Sequence, residues 1–125
     1  MDIHVKIIPN DQHRPGITGA DWWFDESGNL EVRISKMSDS KYESVLAVHE
    51  VVEAVLCRYA GVTHEAVDAF DIPYHQKNEV YDLDAGDEPE APYRRQHGFA
   101  TAAERIVASE IGIPWLAYDK ELAAL

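Results

Sequence analysis

His49, Glu50 and Glu53 stand inside VHEVVEAVLC, residues 48–57, a stretch whose valines and leucines read as the apolar stripe of a helix. At about 100° per residue, Val45, Leu46, Val52, Leu56 and Ala60 fall within roughly 60° of His49. Glu53 lies about 40° from it, in the same sector. A carboxylate placed there must find a partner or take up a proton. The spacing matches H-E-x-x-H, in which ligands at i and i+4 bind zinc and the intervening glutamate activates water. Here the second histidine is replaced by Glu53, and carboxylates also ligate zinc. Glu50, about 100° around at the border of the stripe, is placed to carry a proton rather than to ligate. The same residues also suit a buried histidine–glutamate hydrogen bond with no metal.

A second pattern, YRRQHGFATAAERIVASEI (93–111), tips the balance toward a metal. His97 shares its sector, within about 60°, with Ala100, Thr101, Glu104, Ala108 and Ile111. Ala100, Thr101 and Ala108 are small enough to let another helix approach closely, so ligands from two helices can converge. His97 and Glu104 are about 10.5 Å apart along the axis, too far to share one ion. His49, Glu53 and His97 make a set of two histidines and one glutamate, a catalytic zinc composition. With Glu104 as third ligand, two carboxylates would neutralise the ion and weaken its power to acidify water. His97 is therefore the expected ligand, and Glu104 the group that orients one or an ion-pair partner. Zinc is the expected metal. Iron and nickel suit the same donors.

The elements that must position these groups follow from the periodicity. IHVKII (3–8) and LEVRIS (30–35) alternate apolar and polar residues, as half-buried strands do. WWFD (22–25) and LEVRIS flank a turn-rich DESGN and read as a hairpin, with 3–8 as a third strand in a small antiparallel sheet. Ser38 or Asp39 then caps a long helix running to about Tyr59, with Gly61 as its stop. A shorter helix spans about Thr63 to Phe70. Residues 71–92, with Pro73, Gly86, Pro89, Pro92 and many acids, read as a long loop. Helix returns over 93–111, and WLAYDKELAAL forms a last amphipathic helix. Strands first and helices later predict an α+β fold in one domain over 1–125.

Composition removes several function classes. The net charge is −12, which argues against a general nucleic-acid face. No apolar run is long enough for a membrane span, and MDIHVKIIPND lacks the pattern of a secretory signal. Cys57 is the single cysteine, so no intrachain disulfide forms and a cytoplasmic location fits. Serine and cysteine nucleophile signatures and glycine-rich phosphate loops are missing. DLDAGDE (82–88) lacks the spacing of a calcium loop. His64 and His75 have no helical partner at ligand spacing.

HEVVEA (49–54), APY (91–93) and HGFATAAER (97–105) resemble the compact zincin metallopeptidases, and more narrowly small phage and prophage proteins of that type. The resemblance implies zinc held by His49 and Glu53, Glu50 as general base, a peptide substrate, and a location in the host cytoplasm if phage-encoded. It also implies an edge strand, LEVRIS, for an extended peptide. Tyr93, just before the second helix, is a candidate oxyanion or substrate contact. The acidic loop would favour basic residues in the substrate. Two other readings compete. Glu50, Glu53 and Glu104 would hold magnesium in an all-helical nucleotide pyrophosphohydrolase, which strands at 3–8 and 30–35 would argue against. A closed site would instead make the metal a structural tie in an acidic binding module.

Overall fold

The computed structural model describes residues 1–77 and 84–125. Its elements are β1 (Ile3–Ile8), β2 (Ala20–Phe24), β3 (Leu30–Ser35), α1 (Ser40–Ala60), α2 (His64–Lys77), α3 (Arg94–Glu110) and α4 (Trp115–Ala123), with short 3-10 turns at Asn10–Gln12 and Ala85–Asp87. The fold is α+β, as the pattern predicts. No described helix is long and apolar enough to cross a membrane.

The sheet differs from the expected antiparallel one. Its order is β1-β3-β2. β2 and β3 pair antiparallel as a hairpin, but β1 runs parallel to β3, with Val5 opposite Val32. Alternation tells which residues share a face, not which strand lies alongside. The strand that α1 covers takes the middle position, and that is β3, whose Leu30, Val32 and Ile34 are fully buried. LEVRIS therefore offers no free edge. The expected edge for a peptide is corrected: the edges belong to β1 and β2. β1 is also less covered than its pattern suggests. Ile3, Val5 and Ile7 are 45%, 43% and 43% exposed, because the helical layer lies over β3 and β2.

α1 begins and ends where its chemistry dictates. The Asp39 side chain accepts from the Lys41 N–H, satisfying one of the first-turn donors. Gly61, at φ 76°, adopts the left-handed conformation that lets its own N–H and that of Val62 return to the carbonyls of Arg58 and Cys57. α2 runs on to Lys77, through Pro73, where the sequence had suggested a loop from residue 71. Proline removes one helical hydrogen bond, and the helix carries it. The extension matters because it makes Asp71 helical. Part of the expected loop, 78–83, including the start of DLDAGDE, lies outside the described residues. Beyond it comes the turn Ala85–Asp87, at whose start the Asp84 side chain accepts from the Gly86 N–H.

Candidate metal centre

α1 and α3 pack face to face. The residues they bury there include His49 and Glu53 from α1, and His97, Ala100, Glu104 and Ala108 from α3. Ala100 is fully buried and Ala108 is 2% exposed, so the small side chains allow the close approach that the ligand pattern requires. His49, Glu53 and His97 converge: one ligand atom from each lies within 4.8 Å of the other two. It is the one such metal-competent group among the described residues. His64 instead pairs with its neighbour Glu65.

Glu53 is the hub. Its Oε2 stands 3.0 Å from His49 Nε2 and 2.9 Å from His97 Nδ1. Its Oε1 accepts from the Trp22 indole N–H at 2.9 Å. Burial alone would raise the carboxyl pKa, but the two imidazoles outweigh it and bring Glu53 down to about 2. Tetrahedral zinc with ligands at about 2.0–2.1 Å sets ligand atoms about 3.3–3.4 Å apart. The two Glu53–histidine spacings are a few tenths of an ångström tighter, and the three ligand atoms together span no more than 4.8 Å. Two imidazoles and one carboxylate, all buried, are donors of the kind that zinc takes.

His49 is enclosed by carboxylates on both sides. Its Nδ1 lies 3.0 Å from Glu104 Oε1, opposite the Nε2 contact to Glu53. Burial disfavours its cation, yet the bonds to Glu104 and Glu53 hold its pKa well above the usual histidine value. Glu104 is itself held by the Tyr118 hydroxyl, which donates to Oε2. Tyr118 is fully buried, and burial followed by the Glu104 charge keeps its phenol protonated. Glu104 thus backs His49 from the side away from Glu53. Glu104 therefore lies outside the His49, Glu53 and His97 group and bonds to one of its members. For the same reason Glu50, Glu53 and Glu104 do not form one carboxylate cage, since the His49 ring stands between Glu53 and Glu104.

His97 has a different support. Its Nε2 points toward Asp87 at 3.5 Å and Asp84 at 3.8 Å. Its ring lies against the backbone of Gly86, where a Cβ would come within 2.4 Å of the imidazole Cγ. Only glycine permits that approach. Its pKa is raised despite burial, chiefly by the Glu53 hydrogen bond.

Glu50 makes no hydrogen bond to a described residue, and it retains some exposure. Burial, and then the charge of Glu53, raises its pKa well above the usual carboxylate range. It is the unengaged acid beside the ligand cluster, as its position at the stripe's border implies.

Tyr93, the candidate oxyanion contact, is 2% exposed. Its hydroxyl donates to Asp71 Oδ1 at 2.6 Å, and its ring meets His97 edge-on with centroids 5.9 Å apart. In this conformation Tyr93 supports the histidine and its hydroxyl is taken. Burial pushes Asp71 up to about 7.

Trp22, Tyr118 and Asp71 were not singled out from the sequence. Trp22 carried one usable signal, an indole on the inward face of a strand, where its N–H needs an acceptor. Comparison with protein-family models, curated proteins and solved structures finds no match for this chain.

Proposed function

We propose that this chain is a metal-dependent hydrolase, most simply a zincin-like metallopeptidase, with His49, Glu53 and His97 as ligands and Glu50 as general base. The observation that carries the reading is the convergence of three buried donors of catalytic-zinc type, with each histidine backed by further carboxylates. When bound, zinc supplies a Lewis acid that lowers the pKa of a coordinated water to about 7. The chain's own residues do the remainder. Glu104 holds the Nδ1 proton of His49, so that Nε2 is directed at Glu53 and the ligand position. Trp22 fixes the Glu53 carboxylate plane. Glu50, its proton affinity raised by burial, accepts the proton of the attacking water and returns it to the leaving amine.

A second reading has its own observation. His49, Glu53 and His97 are only 6%, 4% and 8% exposed, so a metal there would also serve as a tie between α1 and α3. The strands at Ile3–Ile8 and Leu30–Ser35 weigh against the all-helical magnesium enzyme.

The deciding experiment combines metal analysis with turnover of a mixed peptide library. Wild type should bind one metal per chain, and His49→Ala and His97→Ala should each lose it. Glu50→Gln should keep the metal and the fold while cleavage falls by about 10²–10⁴-fold. No cleavage by metal-loaded wild type would leave the structural tie as the function. Cuts near Lys or Arg would support a role for the acidic segment in selecting substrate.

A further inference from the structure

We propose that the outer face of α3 is a self-complementary surface through which two copies of this chain pair, helix against antiparallel helix. The face opposite His97 and Glu104 is uncovered. Phe99 is 56% exposed and Ile106 71%, and Arg95, Ala102 and Glu110 are exposed with them. At about 100° per residue these five lie within roughly 60° of Phe99, following one another at steps of four, three, four and four. That alternation of threes and fours is the spacing of a seam between two helices.

The seam reads the same from both ends. A two-fold axis between Ala102 and Ala103, close to the middle of α3, sets Arg95 against the partner's Glu110 and Phe99 against the partner's Ile106. Ala102 then meets the partner's Ala103, where small side chains allow the helices to cross closely. Both ends carry opposite charges, and because the contact is isologous each pairing occurs twice. The chain as a whole is at −12 and repels its own copy. Arg95 gives this face a cation for the copy to meet, beside the acid Glu110.

An open surface groove lies at the expected contact. It is shallow, of about 670 Å³, and is lined by Asp87, Arg94, Arg95, Gly98, Phe99 and Ala102. Arg95, Gly98, Phe99 and Ala102 stand at i, i+3, i+4 and i+7, the four-residue hole into which a facing helix inserts one side chain. The partner's Ile106 falls opposite the centre of that hole. Its floor is Gly98, and a Cβ there would touch nothing within 4 Å. Gly98 has no positive φ either. Glycine weakens a helix relative to alanine, and no contact within this chain calls for it. An inserted side chain from a second copy gives the open floor a use.

One helix face buries on the order of 1,000 Å², the low end for specific association, so the dimer should dissociate in the micromolar range. Sedimentation equilibrium on the full chain, from micromolar to millimolar concentration at physiological salt, tests this. Wild type should pass from monomer to dimer. Ile106→Glu should weaken the dimer by about tenfold or more, with an unchanged circular dichroism spectrum because the side chain is exposed. Arg95→Glu and Glu110→Arg should each weaken it, and the two together should restore it. A monomer throughout, a dimer indifferent to Ile106→Glu, or a double swap no better than its singles would each overturn the proposal.

Discussion

His49 and His97 reach the same carboxylate oxygen from facing helices, but what stands behind them differs. Behind His49 is Glu104, which is 4% exposed and held in turn by fully buried Tyr118 from α4. Behind His97 are Asp84 and Asp87, with side chains 59% and 49% exposed, on a short turn pressed against the ring. One histidine is fixed by a buried polar chain running through three helices. The other is fixed mostly by shape, with its charges left in water. Buried, fully partnered networks act as a unit and tolerate little loss. Exposed ion pairs are screened and contribute little. The two histidines should therefore fail in different ways.

The largest effect should come from protons. In chelator-treated protein, His49 and His97 both hold their protons more tightly than in the unfolded chain, and so do Glu50 and Asp71, the last at about 7. Where the native state binds more protons, stability falls as pH rises. Glu53, lowered to about 2, acts oppositely: its contribution is present above the ordinary carboxylate pKa and is lost as pH falls toward that value. The metal-free melting temperature should therefore peak near about pH 5 and fall continuously through neutral and alkaline pH. In an NMR titration of the same sample, His97 should lose its proton at lower pH than His49. The reverse order would mean that the carboxylates behind His49 are not what holds its proton. Added metal should slow the alkaline loss, since it takes the place of the protons.

Substitution should then grade the two supports. Glu104→Gln should cost about 10–100-fold in metal affinity, measured by competition with a chelating dye. Gly86→Ala should cost about tenfold, because the new methyl must displace either the turn or the His97 ring. Its metal-free melting temperature should fall as well, and by more than that of Asp87→Asn, because a shifted His97 ring loses its buried bond to Glu53. Asp87→Asn should stay within about twofold. If Asp87→Asn matched Glu104→Gln, the distinction between a buried and a solvated support would fall.

What the sequence disclosed was local. Residues one helical turn apart share a face whatever surrounds them, so His49 with Glu53 and the placement of Glu50 were legible. The small residues around His97 announced the close helix pair. Partners that arrive through space left no such trace. Nothing in WLAYDKELAAL says that Tyr118 ends at Glu104, and nothing in ADWWF says that Trp22 ends at Glu53. Pairing order in the sheet was hidden for a related reason, since β1 and β3 share one alternating pattern and differ only in what covers them. Asp71 was lost to Pro73, read as a helix breaker although the helix runs through it.

Cys57 lies fully buried one turn beyond Glu53 on α1, and burial lifts its thiol to about 12. As the chain's single cysteine, it cannot react while the helices are closed, and thiolate is the reacting form. Modification by a soluble thiol reagent must then wait for α1 to separate from its neighbours. The labelling rate becomes a clock for that opening. Run with and without metal, the clock would time how strongly a bound ion fastens the helices together, without any substrate.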